Sequence, residues 1–174
     1  MAVREIITIP DPRLKKVSKP VKDFDAVQGV INDLLDTLYS TSNGIGLAAP
    51  QIGAEEAVVV IDLSKERNDP LILVNPVVES GEDKVMGEEG CLSVPDYYEK
   101  VERFGKVVVK AQNRNGEAIT VESDEFLAIA MQHEIDHLKG NLFIDYLSPL
   151  KRKMALKKVK KYEREMKKQH ESAE

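Results

Sequence analysis

The sequence predicts an α+β domain, with antiparallel β-sheets around a central buried helix carrying His-Glu-x-x-His and a basic helix at the C-terminus. Three observations predict it. The stretch opened by Ser123 and closed by Gly140 bears Phe126, Leu127, Ile129, Ala130, Met131, Ile135 and Leu138, which point in several directions on a helix. A helix that is apolar nearly all round is buried. Short β-rich runs precede it, and two of them, Val107-Val108-Val109 and Ile119-Thr120-Val121, flank Asn115-Gly116, a strong hairpin signal. From Ser148 onward the chain turns basic and helical.

In order, Ile9-Pro10-Asp11-Pro12-Arg13-Leu14 reads as an extended lead-in with turns, ended by Pro20. Asp25 is placed to N-cap the first helix, with Gln28 three residues on in a capping-box arrangement. Val27, Val30, Ile31, Leu34, Leu35 and Leu38 then follow the i, i+3, i+4, i+7 spacing of one buried face. That helix reads as scaffold. The glycines and small residues of 43–53 let a ligand or another backbone come close. This stretch has no Gly-x-Gly-x-x-Gly and no Gly-Lys-Ser/Thr, so both a tight turn and a site loop remain open. Ala57 to Asp62 and Leu71 to Val78 are expected strands, and 79–88 reads as a polar connection. Gly140 stands where a helix C-cap belongs. Ser148 is placed to cap the last helix and Pro149 to open it, with Met154, Val159, Tyr162 and Met166 as a partial apolar stripe.

With 174 residues, 42% hydrophobic and 32% charged, the chain suits one domain with a substantial core. We divide it into a catalytic part, 1–147, and a basic C-terminal helix of the same domain, 148–174. From Ser148 there are ten Lys/Arg against four Glu, a net +6, which leaves −11 on the rest of a chain whose total is −5. The net charge of −5 gives no sign of a wholly nucleic-acid-binding surface. No apolar run reaches 18 residues, so no membrane span is expected. The N-terminus lacks the features of a secretion signal or transit peptide, and one cysteine, Cys91, forms no intrachain disulfide. A cytoplasmic location is expected.

The chemistry concentrates in Gln132-His133-Glu134-Ile135-Asp136-His137. Residues four apart share a helix face, so His133 and His137 can reach one metal ion while Glu134 falls beside it as a candidate general base. Chance spacing of two core histidines and a glutamate is the bland alternative, and a glutamate buried without a partner would be costly. Two ligands leave a catalytic site incomplete. Downstream candidates for a third are Asp145, Glu163, Glu165 and His170, none in a recognisable motif. Upstream stands Cys91, in a Gly-Cys-Leu-Ser turn after two acids. A lone cysteine is more often a small buried hydrophobe, but beside this helix it completes a three-ligand set with an open fourth position.

These residues carry a resemblance. Gly44-Ile45-Gly46-Leu47-Ala48-Ala49-Pro50-Gln51, Glu89-Gly90-Cys91-Leu92-Ser93 and Gln132-His133-Glu134-Ile135-Asp136-His137 resemble, in order, the three motifs of the peptide deformylase family. Each is weak or moderate alone; together they are specific, and the likeness runs from Ile9 to the Leu147-Ser148-Pro149-Leu150 junction.

The resemblance implies the roles. Cys91, His133 and His137 would bind one divalent metal, with Glu134 accepting a proton from the attacking water and passing it to the leaving amine. Gln51 and the Leu92 backbone N–H would help hold the oxyanion. An N-formylmethionyl peptide would lie extended along Gly44, Ile45 and Gly46, with the methionine among Ile45, Ile129 and His133, and formate would leave. Histidine and thiolate suit zinc and iron alike; the resemblance favours Fe2+, with Zn2+, Ni2+ and Co2+ as alternatives. Tyr98 departs from the arginine that some family members carry near the substrate entrance. Arg103 is expected either to pair with Glu89 and orient the Cys91 loop or to form a plain surface pair. The basic helix implies a ribosome contact near the tunnel exit. A monomer is expected. The other readings are a zincin-like peptidase and a metal-stabilised RNA- or ribosome-binding module.

Overall fold

The computed structural model describes residues 2–173; the side chains of 170–173 are outside that description, and with them the ligand candidate His170. Five strands follow one another in an antiparallel sheet: β1 (Gly46–Ala48), β2 (Val58–Ile61), β3 (Leu71–Cys91), β4 (Val94–Gln112) and β5 (Ala118–Ser123). Among the described residues three α-helices complete the fold, α1 (Gln28–Ser40), α2 (Phe126–Leu138) and α3 (Pro149–Ala173).

Strand β2 is buried on both faces, which its Val-Val-Val-Ile sequence permits. Successive side chains point to opposite faces of a sheet. Val59 and Ile61 thus join Ala48, Leu73, Val107 and Val109 in one core with Ala128, Met131 and Ile135 of α2. Val58 and Val60 join Leu47 and Val74 in a second core with Ile31, Leu34 and Leu38 of α1. Each such Leu or Ile stabilises the fold by about 1.5–3 kcal/mol through burial. The sheet is therefore held between a scaffold helix and the helix that bears the histidines.

Residues 79–88 differ from the expected polar connection: they continue β3, paired with β4 from Val78↔Val109 to Glu88↔Lys100. Most of their side chains are exposed, so no apolar alternation marks the strand. Where separate sheets were expected, the described strands form one. Three register shifts along β3 and β4 accompany its passage from one core to the next, since bulges bend and twist a strand. Its far end packs Val94, Tyr97 and Val101 against Leu142, Phe143 and Ile144 and against Ala155 and Val159 of α3.

Three helix details correct the sequence reading. α1 starts at Gln28 with Val27 at its N-cap, because the Asp23 carboxylate accepts from the Asp25 and Ala26 N–H groups and closes a turn first. α2 starts at Phe126, while Ser123 ends β5 and its Oγ accepts from Glu125 N. α3 docks through Ala155 and Val159, four residues apart, whereas Met154 and Met166 are exposed. Gly140 follows the Lys139 C-cap of α2 with φ 80°, and a Cβ there would stand 2.3 Å from the Lys15 carbonyl oxygen. Only glycine fits, and Ser18 N donates to Leu138 O beside it (2.8 Å), locking the end of α2 to the N-terminal segment.

Candidate metal centre and cleft

Helix α2 sets His133 and His137 one turn apart, with ring centroids separated by 5.2 Å. Cys91, the last residue of β3, comes from the other side and places Sγ 3.4 Å from His137 Nε2. The candidate ligand atoms of Cys91, His133 and His137 all lie within 4.8 Å of one another, the one such group of three among the described residues. Asp145 is instead held by Lys15 at 2.9 Å, Glu163 accepts from Thr8 Oγ1 at 2.8 Å, and Glu165 is exposed.

The donors fit a divalent metal. His133 is tied through Nδ1 to Glu89 Oε1 at 2.9 Å, which leaves Nε2 for a metal. His137 is fully buried. Burial, then the charges of His133 and Arg103, hold it well below the ordinary histidine range, so its ring stays neutral as a ligand must. Burial lowers His133 too, but Cys91, Glu134 and Glu89 outweigh it and raise it well above its usual value. Surroundings that stabilise a proton there also favour a cation.

Glu134 is 4% exposed, and its Oε1 has no hydrogen-bond partner within the protein while lying 3.9 Å from His137 Nε2. An orphaned buried carboxylate oxygen is costly unless something else occupies the site. Burial pushes this carboxyl up to about 7; Glu89 and Asp136 act in the same sense, and His133 and Arg103 against it. A carboxylate near neutrality suits both accepting and returning a proton.

Glu89 and Arg103 are only 7% and 6% exposed, so the second of the two sequence expectations, a surface pair, is excluded. Arg103 donates from Nε and Nη2 to the two Glu89 oxygens at 2.8 and 2.9 Å. Burial favours a neutral Glu89, but the Arg103 and His133 contacts prevail and keep its pKa low.

A cleft of about 710 Å³ opens onto this centre. Its walls include Gly44, Ile45, Gly46, Leu92 and Ile129, together with Cys91, His133 and Glu134. Gly46 opens the edge strand β1, whose other side pairs with β2. Tyr98 is at the rim, its ring over Gly90. Gln51 and His137 do not line the cleft and are buried beneath it. Gln51 Oε1 accepts from Ala48 N (2.9 Å), and its Nε2 donates to Ser93 Oγ (2.9 Å), 3.6 Å from Cys91 Sγ. Sequence reasoning missed Ser93, Asp136 and Tyr146. Ser93 stands inside the Cys91 motif and Asp136 inside the histidine motif, though the reading gave neither a role, while nothing in the local sequence marks Tyr146.

Residues 3–153 match the family model for polypeptide deformylase. Over 162 residues the chain is 69% identical to peptide deformylase 2 of Vibrio parahaemolyticus, covering 93% of this chain and 96% of that one. A crystal structure of a peptide deformylase from Legionella pneumophila is similar at TM-score 0.91 and 46% identity, over 95% of this chain and 98% of that one. The peptide deformylase from Ehrlichia chaffeensis in complex with actinonin is similar at TM-score 0.88 and 36% identity, over 94% and 99%. The chain belongs to the peptide deformylase family and is a metal-dependent hydrolase that removes the N-formyl group from nascent peptides.

Proposed function

We propose that deformylation takes place in the cleft above Cys91, His133 and His137, with Glu134 as the general base. The carrying observation is the orphaned Glu134 Oε1, buried beside three convergent ligand atoms. When bound, a divalent ion held by these three residues supplies Lewis acidity and makes water nucleophilic near neutral pH. Glu134 takes the proton from the attacking water and returns it to the departing amine, so that formate and the free peptide amine leave. Glu89 holds the His133 ring in the tautomer that leaves Nε2 toward the site.

The peptide lies extended along the free edge of β1, its backbone meeting Gly44, Ile45 and Gly46, as β-augmentation requires. Ile45, Ile129 and the His133 ring offer the methionine side chain an apolar wall. Gln51 and the Leu92 backbone N–H stabilise the oxyanion; for Gln51 this means that Nε2 leaves Ser93 Oγ as substrate arrives. Actinonin, present in the Ehrlichia chaffeensis relative, is expected to occupy the same cleft. Formate release from formyl-Met-Ala-Ser, with acetyl-Met-Ala-Ser as control, tests the assignment. Equal turnover of the two would point to a general peptidase instead.

The resident metal is proposed as Fe2+, with Zn2+, Ni2+ or Co2+ compatible with the same donors; elemental content after anaerobic purification decides it. The cleft is complete within one chain, consistent with a monomer. No helix among the described residues is long and apolar enough to cross a membrane, and a cytoplasmic enzyme at the ribosomal tunnel exit fits the substrate. Residues 148–174 are read as the ribosome-facing helix of the catalytic domain 1–147. Burial of Ala155 and Val159 turns Lys157, Lys158, Lys160, Lys161 and Arg164 outward, where phosphate contacts are available.

A further inference from the structure

The proposed ligands arrive from two elements: Cys91 ends strand β3, and His133 and His137 stand on helix α2. Something must hold strand and helix at a fixed spacing, or the three donors would not converge. Glu89 of β3 reaches His133 at 2.9 Å, Gln132 of α2 brackets the Phe104 backbone of β4 at 3.0 and 2.7 Å, and Arg103, from β4, adds a side chain that bonds both β3 and α2. One side of its guanidinium grips Glu89, two residues before Cys91 on β3. Its remaining amino group, Nη1, donates to Asp136 Oδ2 on α2, between His133 and His137. A fork-shaped cation thus ties the strand to the helix.

Asp136 does not act alone. Tyr146, at the end of a 3₁₀ turn over Phe143–Tyr146, donates its hydroxyl to the same Asp136 Oδ2 at 2.8 Å. Its ring lies under the Arg103 guanidinium, 5.1 Å from ring centroid to cation. It therefore restrains the acid through a hydrogen bond and the cation through its π face.

We propose that Asp136 and Tyr146 are positioning residues for the metal centre, acting through the Arg103 strap to fix the spacing between Cys91 and the two histidines. The inference rests on the metal-centre reading above. Neither residue reaches the substrate. Asp136 and Tyr146 line a groove of about 580 Å³ that shares no lining residue with the catalytic cleft. Without Asp136, a buried Arg103 donor loses its partner and the guanidinium its bond to α2, which leaves the Glu89–His133 and Gln132–Phe104 bonds to hold the donors in a looser register. Losing the Tyr146 hydroxyl leaves the ion pair intact and loosens it.

The test is the rate at which Co2+-loaded protein loses its metal to excess EDTA, read with the cobalt absorption bands. Asp136→Ala is expected to release Co2+ about 10- to 100-fold faster than wild type and to alter those bands, the range common for partners of metal ligands. Tyr146→Phe should release it roughly two- to tenfold faster, keeping the ring and hence the fold. KM for formyl-Met-Ala-Ser should stay within about twofold in both, while kcat falls, because the substrate cleft is untouched. A purely structural role would lower the melting temperature and leave the cobalt spectrum and release rate of the folded protein alone. Release rates and spectra like those of wild type in both variants overturn the inference; should Asp136→Ala not fold, an unchanged Tyr146→Phe overturns it by itself. Failure of wild-type protein to retain Co2+ would overturn the metal-centre reading, and this inference with it.

Discussion

Gly46 stands so close to Glu134 that a Cβ built on it would lie 2.6 Å from Oε2, 3.0 Å from Cδ and 3.1 Å from Cγ of that side chain. The start of the edge strand is thus shaped around Glu134, the proposed general base. Gly46→Ala must displace the whole carboxylate arm, and general base catalysis depends on a reach of a few tenths of an ångström. We expect kcat to fall by about 10- to 100-fold with metal content unchanged. Kinetics combined with metal analysis of the same preparation decides it; wild-type turnover would show that Glu134 tolerates displacement.

The wall of the cleft is braced from outside. Asp62 N donates to the Ile45 carbonyl at 2.8 Å. The buried Asp62 carboxylate accepts from Tyr39 OH at 2.6 Å, Ser64 N at 2.8 Å and Asp69 N at 3.1 Å. Burial would raise this carboxyl, but hydrogen bonds from Ser64, Tyr39 and Asp69 outweigh it and lower its pKa. Tyr39 is pushed up to about 12, by burial and then by Asp62, so it remains a donor. A carboxyl whose folded value is depressed adds stability above its unfolded value, about 4, and that stability is lost as pH falls through the folded value. The difference in melting temperature between wild type and Asp62→Asn should therefore be constant above about pH 5 and shrink below about pH 4. A difference that is the same at neutral and at strongly acidic pH would contradict this.

Cutting the chain after Leu150 would uncover the core that Ala155 and Val159 close, so the proposed ribosome contact is better tested by charge. Replacing the exposed Lys157, Lys158, Lys160 and Lys161 by Gln should leave formyl-peptide turnover within about twofold. It should weaken cosedimentation with ribosomes, and salt should weaken wild-type binding in the same way. Ribosome binding unaffected by the four substitutions would reduce α3 to scaffold.

What could be read from the chain alone follows the range of the interactions. His133, Glu134 and His137 were legible because i and i+4 on a helix is a local relation. Cys91 was legible only beside them, as it comes from a distant strand, and the three-motif resemblance linked it to the histidines. The Glu89–Arg103 pair was one of two expectations, but its continuation to Asp136 and Tyr146 joins β4, α2 and a 3₁₀ turn through side chains, and no spacing encodes that. Residues 79–88 hid a strand because a ribbon solvated on both faces has no apolar alternation to show. α1 starts later than Asp25 suggests because Asp23 accepts from the Asp25 and Ala26 N–H groups in a turn ahead of the helix, a backbone arrangement that the capping pattern at Asp25 does not encode.

The central claim separates a residue that holds the metal from one that moves the proton. Metal content and formate release from formyl-Met-Ala-Ser, measured together on Glu134→Gln and Cys91→Ala, test it most directly. Glu134→Gln should keep its full metal complement and lose turnover by on the order of a hundredfold or more, whereas Cys91→Ala should lose the metal itself. Near-normal formate release by Glu134→Gln, or full metal occupancy in Cys91→Ala, would contradict the account.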